Sequence, residues 1–180
     1  MEKQNQHYIG RVTKFNEQEK TVDCVIMHYD KSNENRWIPE LGCLDAFLER
    51  VVRAKKFIPV CYQHDQNNLI GQLREWSNKD GALIGKIYLD DIPFVREVVL
   101  VQLKSGTLQG SSPTIAPITD YWNEKERAWS IKEGALAEVS LVGLPADLKA
   151  DIVEYSASIE KKRKDIEIEK NNFELDLLIN

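Results

Sequence analysis

Three residues, His64, Ser112 and Glu138, combine types whose joint chemistry is the activation of a hydroxyl. A serine hydroxyl is a poor nucleophile at neutral pH and needs a base within hydrogen-bond reach. Imidazole suits that work because its proton affinity lies near the working pH. The ring in turn needs an acceptor that fixes its tautomer and steadies the cation formed during attack. In that order Ser112, His64 and Glu138 could serve as nucleophile, base and orienting carboxylate. Residue types alone leave a plain structural reading open. In it His64 caps a strand end, Glu138 pairs with a lysine at a sheet edge, and Ser112 makes a turn.

The surroundings of each residue sharpen the question. His64 follows the apolar stretch Phe57-Ile58-Pro59-Val60-Cys61-Tyr62, and alternation puts it on the face of Ile58, Val60 and Tyr62. Within Leu136-Ala137-Glu138-Val139-Ser140-Leu141-Val142 only Glu138 and Ser140 break the apolar run, and their spacing gives them one face. A carboxylate inside such a strand is costly unless something pairs with it. Ser112 lies in Gln109-Gly110-Ser111-Ser112-Pro113-Thr114, a small-residue bend able to present a hydroxyl to a substrate backbone.

Other chemistries find less support. His28, Asp30, His64 and Asp65 could ligate a metal, yet no His-x-x-x-His and no cysteine cluster accompanies them. Cys61 could be imagined as a thiolate nucleophile, but an apolar strand favours a buried, inert thiol. Trp37, Trp76, Trp122 and Trp129 are scattered, which fits packing better than a base-stacking platform. No glycine loop suited to phosphate is present, and the proposed roles call for no cofactor.

The elements that must position these groups follow from pattern. Residues Tyr8 to Tyr29 read as two strands around a polar turn, and Leu44, Phe47, Leu48 and Val51 predict a helix over Asp45 to Lys56. Leu69 to Trp76 and Ala82 to Leu89 form a hairpin turning at Asn78-Lys79-Asp80-Gly81. Asp91 and Pro93 open a second helix that ends at a left-handed Gly106. Leu108 to Ile118 is extended, and Trp129 to Ile131 and Ala135 to Leu144 make two further strands. Strands without regular strand–helix alternation predict an α+β fold, a mainly antiparallel barrel or sandwich with flanking helices.

Composition sets broad bounds. The 180 residues are 42% hydrophobic and 29% charged, as in a soluble globular protein with a real core. A net charge of −5 argues against nucleic acid as the main partner, since phosphate binding needs clustered surplus cation. Three widely spaced cysteines, Cys24, Cys43 and Cys61, suit a reducing compartment. A polar N-terminus predicts no signal peptide, and no run is long enough to cross a bilayer. These features point to a cytoplasm or something assembled there. From about Tyr155 a dense charge run begins, with Ile159, Ile166 and Phe173 at heptad spacing. The chain therefore divides into a domain over 1–154 and a charged helical tail over 155–180.

The order of motifs adds what no single one carries. Ile38-Pro39-Glu40-Leu41-Gly42-Cys43-Leu44-Asp45-Ala46-Phe47, Pro59-Val60-Cys61-Tyr62-Gln63-His64-Asp65, and the hairpin with Ile70-Gly71-Gln72-Leu73 and Gly81-Ala82-Leu83 come first. Leu103-Lys104-Ser105-Gly106-Thr107-Leu108-Gln109-Gly110-Ser111-Ser112 and Ala137-Glu138-Val139-Ser140-Leu141-Val142-Gly143-Leu144-Pro145-Ala146 follow. Together, over roughly Tyr8 to Val153, the chain resembles the caudovirus prohead protease family, itself similar in fold to the herpesvirus assemblin proteases. The resemblance implies a serine endopeptidase that cuts internal head proteins during capsid maturation. Implied substrates are the scaffolding protein, the N-terminal segment of the major capsid protein, and the protease itself. The implied setting is the assembling prohead in the host cytoplasm, and the herpesvirus likeness implies a homodimer.

Carried over by motif, His64 would be the base, Ser112 the nucleophile and Glu138 the third member. The herpesvirus enzymes use a second histidine in that third place, but His7 and His28 do not sit in the matching strand, so Glu138 suits it better. One departure stands out. The family usually follows its serine with an apolar residue and a glycine, whereas here Pro113 and Thr114 follow. Proline removes an N–H that could help bind an oxyanion. Ser111 therefore stands as the competing nucleophile, and an inactive structural protein of the virus head as the competing function.

Overall fold

The computed structural model of the chain describes residues 6–7, 10–33 and 35–143. The expected boundary at 154 and the charged tail over 155–180 lie outside them. The described residues form β1 (Gln6–His7), β2 (Gly10–Asn16), β3 (Thr21–His28), β4 (Trp37–Pro39), α1 (Asp45–Arg53), β5 (Ile58–Tyr62), β6 (Asp65–Lys79) and β7 (Ala82–Leu89). A helix follows, π-helical over Val95–Val99 and continuing as α2 (Leu100–Ser105), then β8 (Gly110–Asn123) and β9 (Ala128–Val142). The fold is mixed α+β: mostly strands in one nine-stranded sheet, with two helical segments. The strand order is β1-β8-β2-β3-β7-β6-β5-β9-β4, and β8 also pairs with β9. Only β4 and β5 run parallel to β9; the other pairings are antiparallel.

Local chemistry explains the helices. Leu44 and Leu48 are buried, and Phe47 and Val51 pack against the core, as their helical spacing predicts. The helix ends at Arg53 rather than Lys56 because Lys55 turns left-handed (φ +53°). Its N–H then bonds the Val52 carbonyl at 2.9 Å, and the Lys56 N–H bonds that of Val51 at 3.1 Å, closing the helix end. The second helix stops at Gly106 with φ +74°, the left-handed cap expected of a glycine there.

The core is built from β-branched and leucine side chains, including Val22, Ile26, Ile58, Val60, Leu73 and Ile87. The β6–β7 hairpin turns on Asp80 (φ +51°) and Gly81 (φ +74°), a two-residue loop shorter than the four residues the sequence suggests. Two strands expected at Trp129 to Ile131 and Ala135 to Leu144 are one strand, β9. Gly134 bridges them, and a Cβ there would fall 2.8 Å from Ile115 Cγ2. A glycine at this point allows close packing.

Gly71 tests the tightness of this packing. A Cβ added to it would lie 2.3 Å from the Tyr88 carbonyl oxygen, which is backbone and cannot rotate away. Gly71→Ala is expected to destabilise the domain by about 2 kcal/mol or more. Urea unfolding at neutral pH checks it through the shift in midpoint.

Candidate active site

The site begins with a turn. Tyr62 and Asp65 are paired across the β5–β6 connection, so Gln63 and His64 form a two-residue loop. Both have positive φ, +54° and +60°, the pattern of the type I′ turn that suits strand twist. Neither is glycine, and each costs about 1–2 kcal/mol in that conformation. Hydrogen bonds hold the turn down. The Gln63 N–H donates to the Leu141 carbonyl at 3.1 Å, and the His64 N–H donates to Ser140 Oγ at 3.0 Å. Strand alternation therefore ends at Tyr62, and His64 does not share the face of Ile58 and Val60 as the sequence suggests. Its ring turns instead to the polar side of β9.

There it meets Glu138. His64 Nδ1 lies 2.9 Å from Glu138 Oε1, with the histidine side chain 27% exposed and the glutamate side chain 4%. Among the described residues no lysine pairs with Glu138 at a sheet edge; the carboxylate is buried and meets the imidazole instead. Thr114 Oγ1 also donates to Oε1, and Ser140 Oγ donates to Oε2 at 2.7 Å. Burial works against the charged form, but the bonds from His64, Thr114 and Ser140 together outweigh it. They hold Glu138 below the usual carboxylate range.

A register shift makes this cluster possible. Between Thr114 and Ile115 of β8, β9 advances two residues, from Glu138 to Leu136. The extra residue lets Leu136 face the core while Glu138 and Ser140 face away from Val139 and Leu141. Without it, Leu136 and Glu138 would share a face.

The same register places the candidate nucleophiles. Ser112 lies opposite Ser140 and Thr114 opposite Glu138, so Ser112, Thr114, Glu138 and Ser140 share one face. Ser140 is thus the common neighbour of Ser112 and His64. Ser112 sits inside β8 rather than in a bend, and is 3% exposed. Ser111 points the other way: it is fully buried, and its hydroxyl donates to the Val25 carbonyl at 2.8 Å. Pro113, paired with Val139, offers no N–H beside Ser112. Cys61 lies opposite Ser140 on β5, and burial, with the nearby Glu138 charge, pushes its thiol up to about 11. It stays a thiol at neutral pH, as an apolar strand predicts.

Among the described residues, no three His, Cys, Asp or Glu side chains gather as metal ligands, so His28, Asp30 and His64 do not make such a group. Nor is any described helix long and apolar enough to cross a membrane. Sequence reasoning missed Thr114, whose only sequence signal was its even spacing from Ser112. The contribution of Ser140 was legible only as a polar residue in an apolar strand.

A buried carboxylate that orients an imidazole beside strand hydroxyls suits hydrolysis by general-base catalysis. The chain belongs to the caudovirus prohead serine protease family, whose family model matches residues 6–165. Its fold is similar to that of the bacteriophage T4 capsid assembly protease, with a TM-score of 0.61 and 10% sequence identity. That likeness covers 77% of this chain and 98% of the T4 protein. The comparison with curated proteins gave no match.

The lowered Glu138 pKa carries a sign for stability. The unfolded chain takes up its proton near 4.5, before the folded chain does. Stability from this group is therefore complete above that pH and is lost as pH falls through the folded value. Glu138→Gln is expected to flatten that part of the acid-unfolding curve. Urea titrations in the acid range and at neutral pH measure the difference in slope.

Proposed function

We propose that the chain is a serine endopeptidase acting in the maturation of a tailed-virus prohead, with Ser112 as nucleophile, His64 as base and Glu138 as orienting carboxylate. The observation that carries this reading is the 2.9 Å contact of His64 Nδ1 with buried Glu138, on the face that holds Ser112. A carboxylate that accepts the Nδ1 proton leaves Nε2 as the basic nitrogen of the neutral ring. Nε2 takes the Ser112 proton as Oγ bonds to the scissile carbonyl carbon, and Glu138 steadies the imidazolium so formed. The proton then passes to the leaving amine as the peptide C–N bond breaks. Water, deprotonated by the same ring, releases the acyl group and returns Ser112.

Substrates on this reading are the scaffolding protein, the N-terminal segment of the major capsid protein, and the enzyme itself. The enzyme works inside the assembling prohead, in the host cytoplasm, as a homodimer. The tail over 155–180 is a self-cleaved appendage or a handle that recruits the enzyme to the shell. The pairing of β8 with both β2 and β9 supports a sheet that closes on itself as a barrel.

A second reading, an inactive structural protein of the virus head, is favoured by Pro113 and by the 3% exposure of Ser112. Co-expression with the scaffolding protein separates the two. Ser112→Ala and His64→Ala are expected to abolish scaffold cleavage, while Ser111→Ala leaves the cleaved fragments unchanged. Processing by Ser112→Ala at the normal rate overturns the mechanism. No processing by the wild type, with scaffold still bound, favours the structural reading.

A further inference from the structure

The Ser140 hydroxyl stands at a junction that the roles of His64, Ser112 and Glu138 do not use. It is fully buried and makes two bonds, to the His64 N–H at 3.0 Å and to Glu138 Oε2 at 2.7 Å. Their directions are fixed. A carboxylate only accepts and a backbone N–H only donates, so the single hydroxyl proton points to Glu138 and a lone pair faces His64. A simple hydroxyl thereby joins the backbone of the residue carrying the base to the carboxylate that orients that base.

The need for such a tie follows from the turn. Gln63 and His64 both occupy left-handed backbone without being glycine. A turn of this kind keeps its shape only where its surroundings over-determine it. Its backbone anchors to β9 include the Gln63 N–H to the Leu141 carbonyl and the His64 N–H to Ser140, beside the contact of the His64 ring with Glu138. The first runs backbone to backbone and needs no particular side chain; the second depends on the Ser140 hydroxyl. On the carboxylate, Ser140 holds Oε2 while His64 and Thr114 share Oε1. Rotation of the carboxylate about its own axis would break all three bonds at once.

We propose that Ser140 is a positioning residue, which locks the His64 turn and the Glu138 carboxylate into one unit so that the imidazole keeps a single tautomer and orientation. This rests on the catalytic reading for its consequence in rate, but its geometric content does not. A role in filling buried space alone would be met equally well by alanine. A positioning role is not met by alanine, because both ends of the tie are then released.

The test uses the full-length chain and two readouts. The first is the proton resonance of His64 Nδ1 with its exchange rate in water, recorded by NMR. The second is the rate of modification by a serine-reactive fluorophosphonate across the neutral pH range. In Ser140→Ala, the Nδ1 proton signal is expected to vanish or exchange much faster, and modification to slow by about tenfold or more. An unchanged resonance with a modification rate like that of the wild type overturns the proposal. Should Ser140→Ala fail to fold, Ser140→Cys replaces it, with nearly the same shape and a much weaker donor. A wild-type signal and rate in that variant count equally against the proposal, and their loss supports it. If the wild-type protein itself is not modified, the catalytic reading fails, and the resonance alone decides whether Ser140 holds the pair.

Discussion

The burial of one negative charge organises the polar half of this domain. A carboxylate removed from water costs several kcal/mol unless donors replace the lost hydration. Glu138 has three, from His64, Thr114 and Ser140, and they come from three different strands or turns. Each bond to a charged group contributes roughly 1.5–3 kcal/mol, so together they are of the size needed to keep the charge inside. The carboxylate in turn obliges β8, β9 and the β5–β6 turn to hold fixed relative positions.

Two backbone irregularities serve that constraint. The register shift in β8–β9 moves Glu138 and Ser140 out of phase with Leu136, so an amphipathic strand presents leucines to one side and a polar pair to the other. The left-handed turn at Gln63 and His64 ends β5 and directs the imidazole to that same polar side. The turn is strained by about 2–4 kcal/mol in all, comparable with the hydrogen bonds that hold it. Strain and polar burial therefore offset one another at a single place. A buried thiol, Cys61, lies in the same row but is kept protonated by burial and by the Glu138 charge.

Much of this was legible in the chain itself. Periodicity located α1 through Leu44 and Leu48, turn chemistry located Asp80-Gly81 and Gly106, and a carboxylate in an apolar strand signalled that Glu138 must have a partner. What alternation could not yield were the sites where alternation breaks. The face of His64 was misread because a turn with two positive φ angles carries no signature in Gln-His, which are not typical left-handed residues. The phase of Leu136 against Glu138 depends on a bulge, which only the partner strand reveals. Extension over Leu108 to Ile118 is legible and β8 carries it, whereas the small-residue bend read around Ser112 is overridden by pairing with β9. The same pairing settles the opposite orientations of Ser111 and Ser112, which identical side chains could not.

The proposed chemistry requires a hydroxyl from β8 to meet the second nitrogen of a ring whose Nδ1 lies 2.9 Å from Glu138. A crystal structure of the protein after reaction with a serine-reactive phosphonate tests this most directly. Phosphorus is expected on Ser112 Oγ, with His64 Nε2 within hydrogen-bond distance of the adduct and Nδ1 still on Glu138. Phosphorus on Ser111 or another residue, or an adduct on Ser112 with the imidazole turned out of reach, contradicts it.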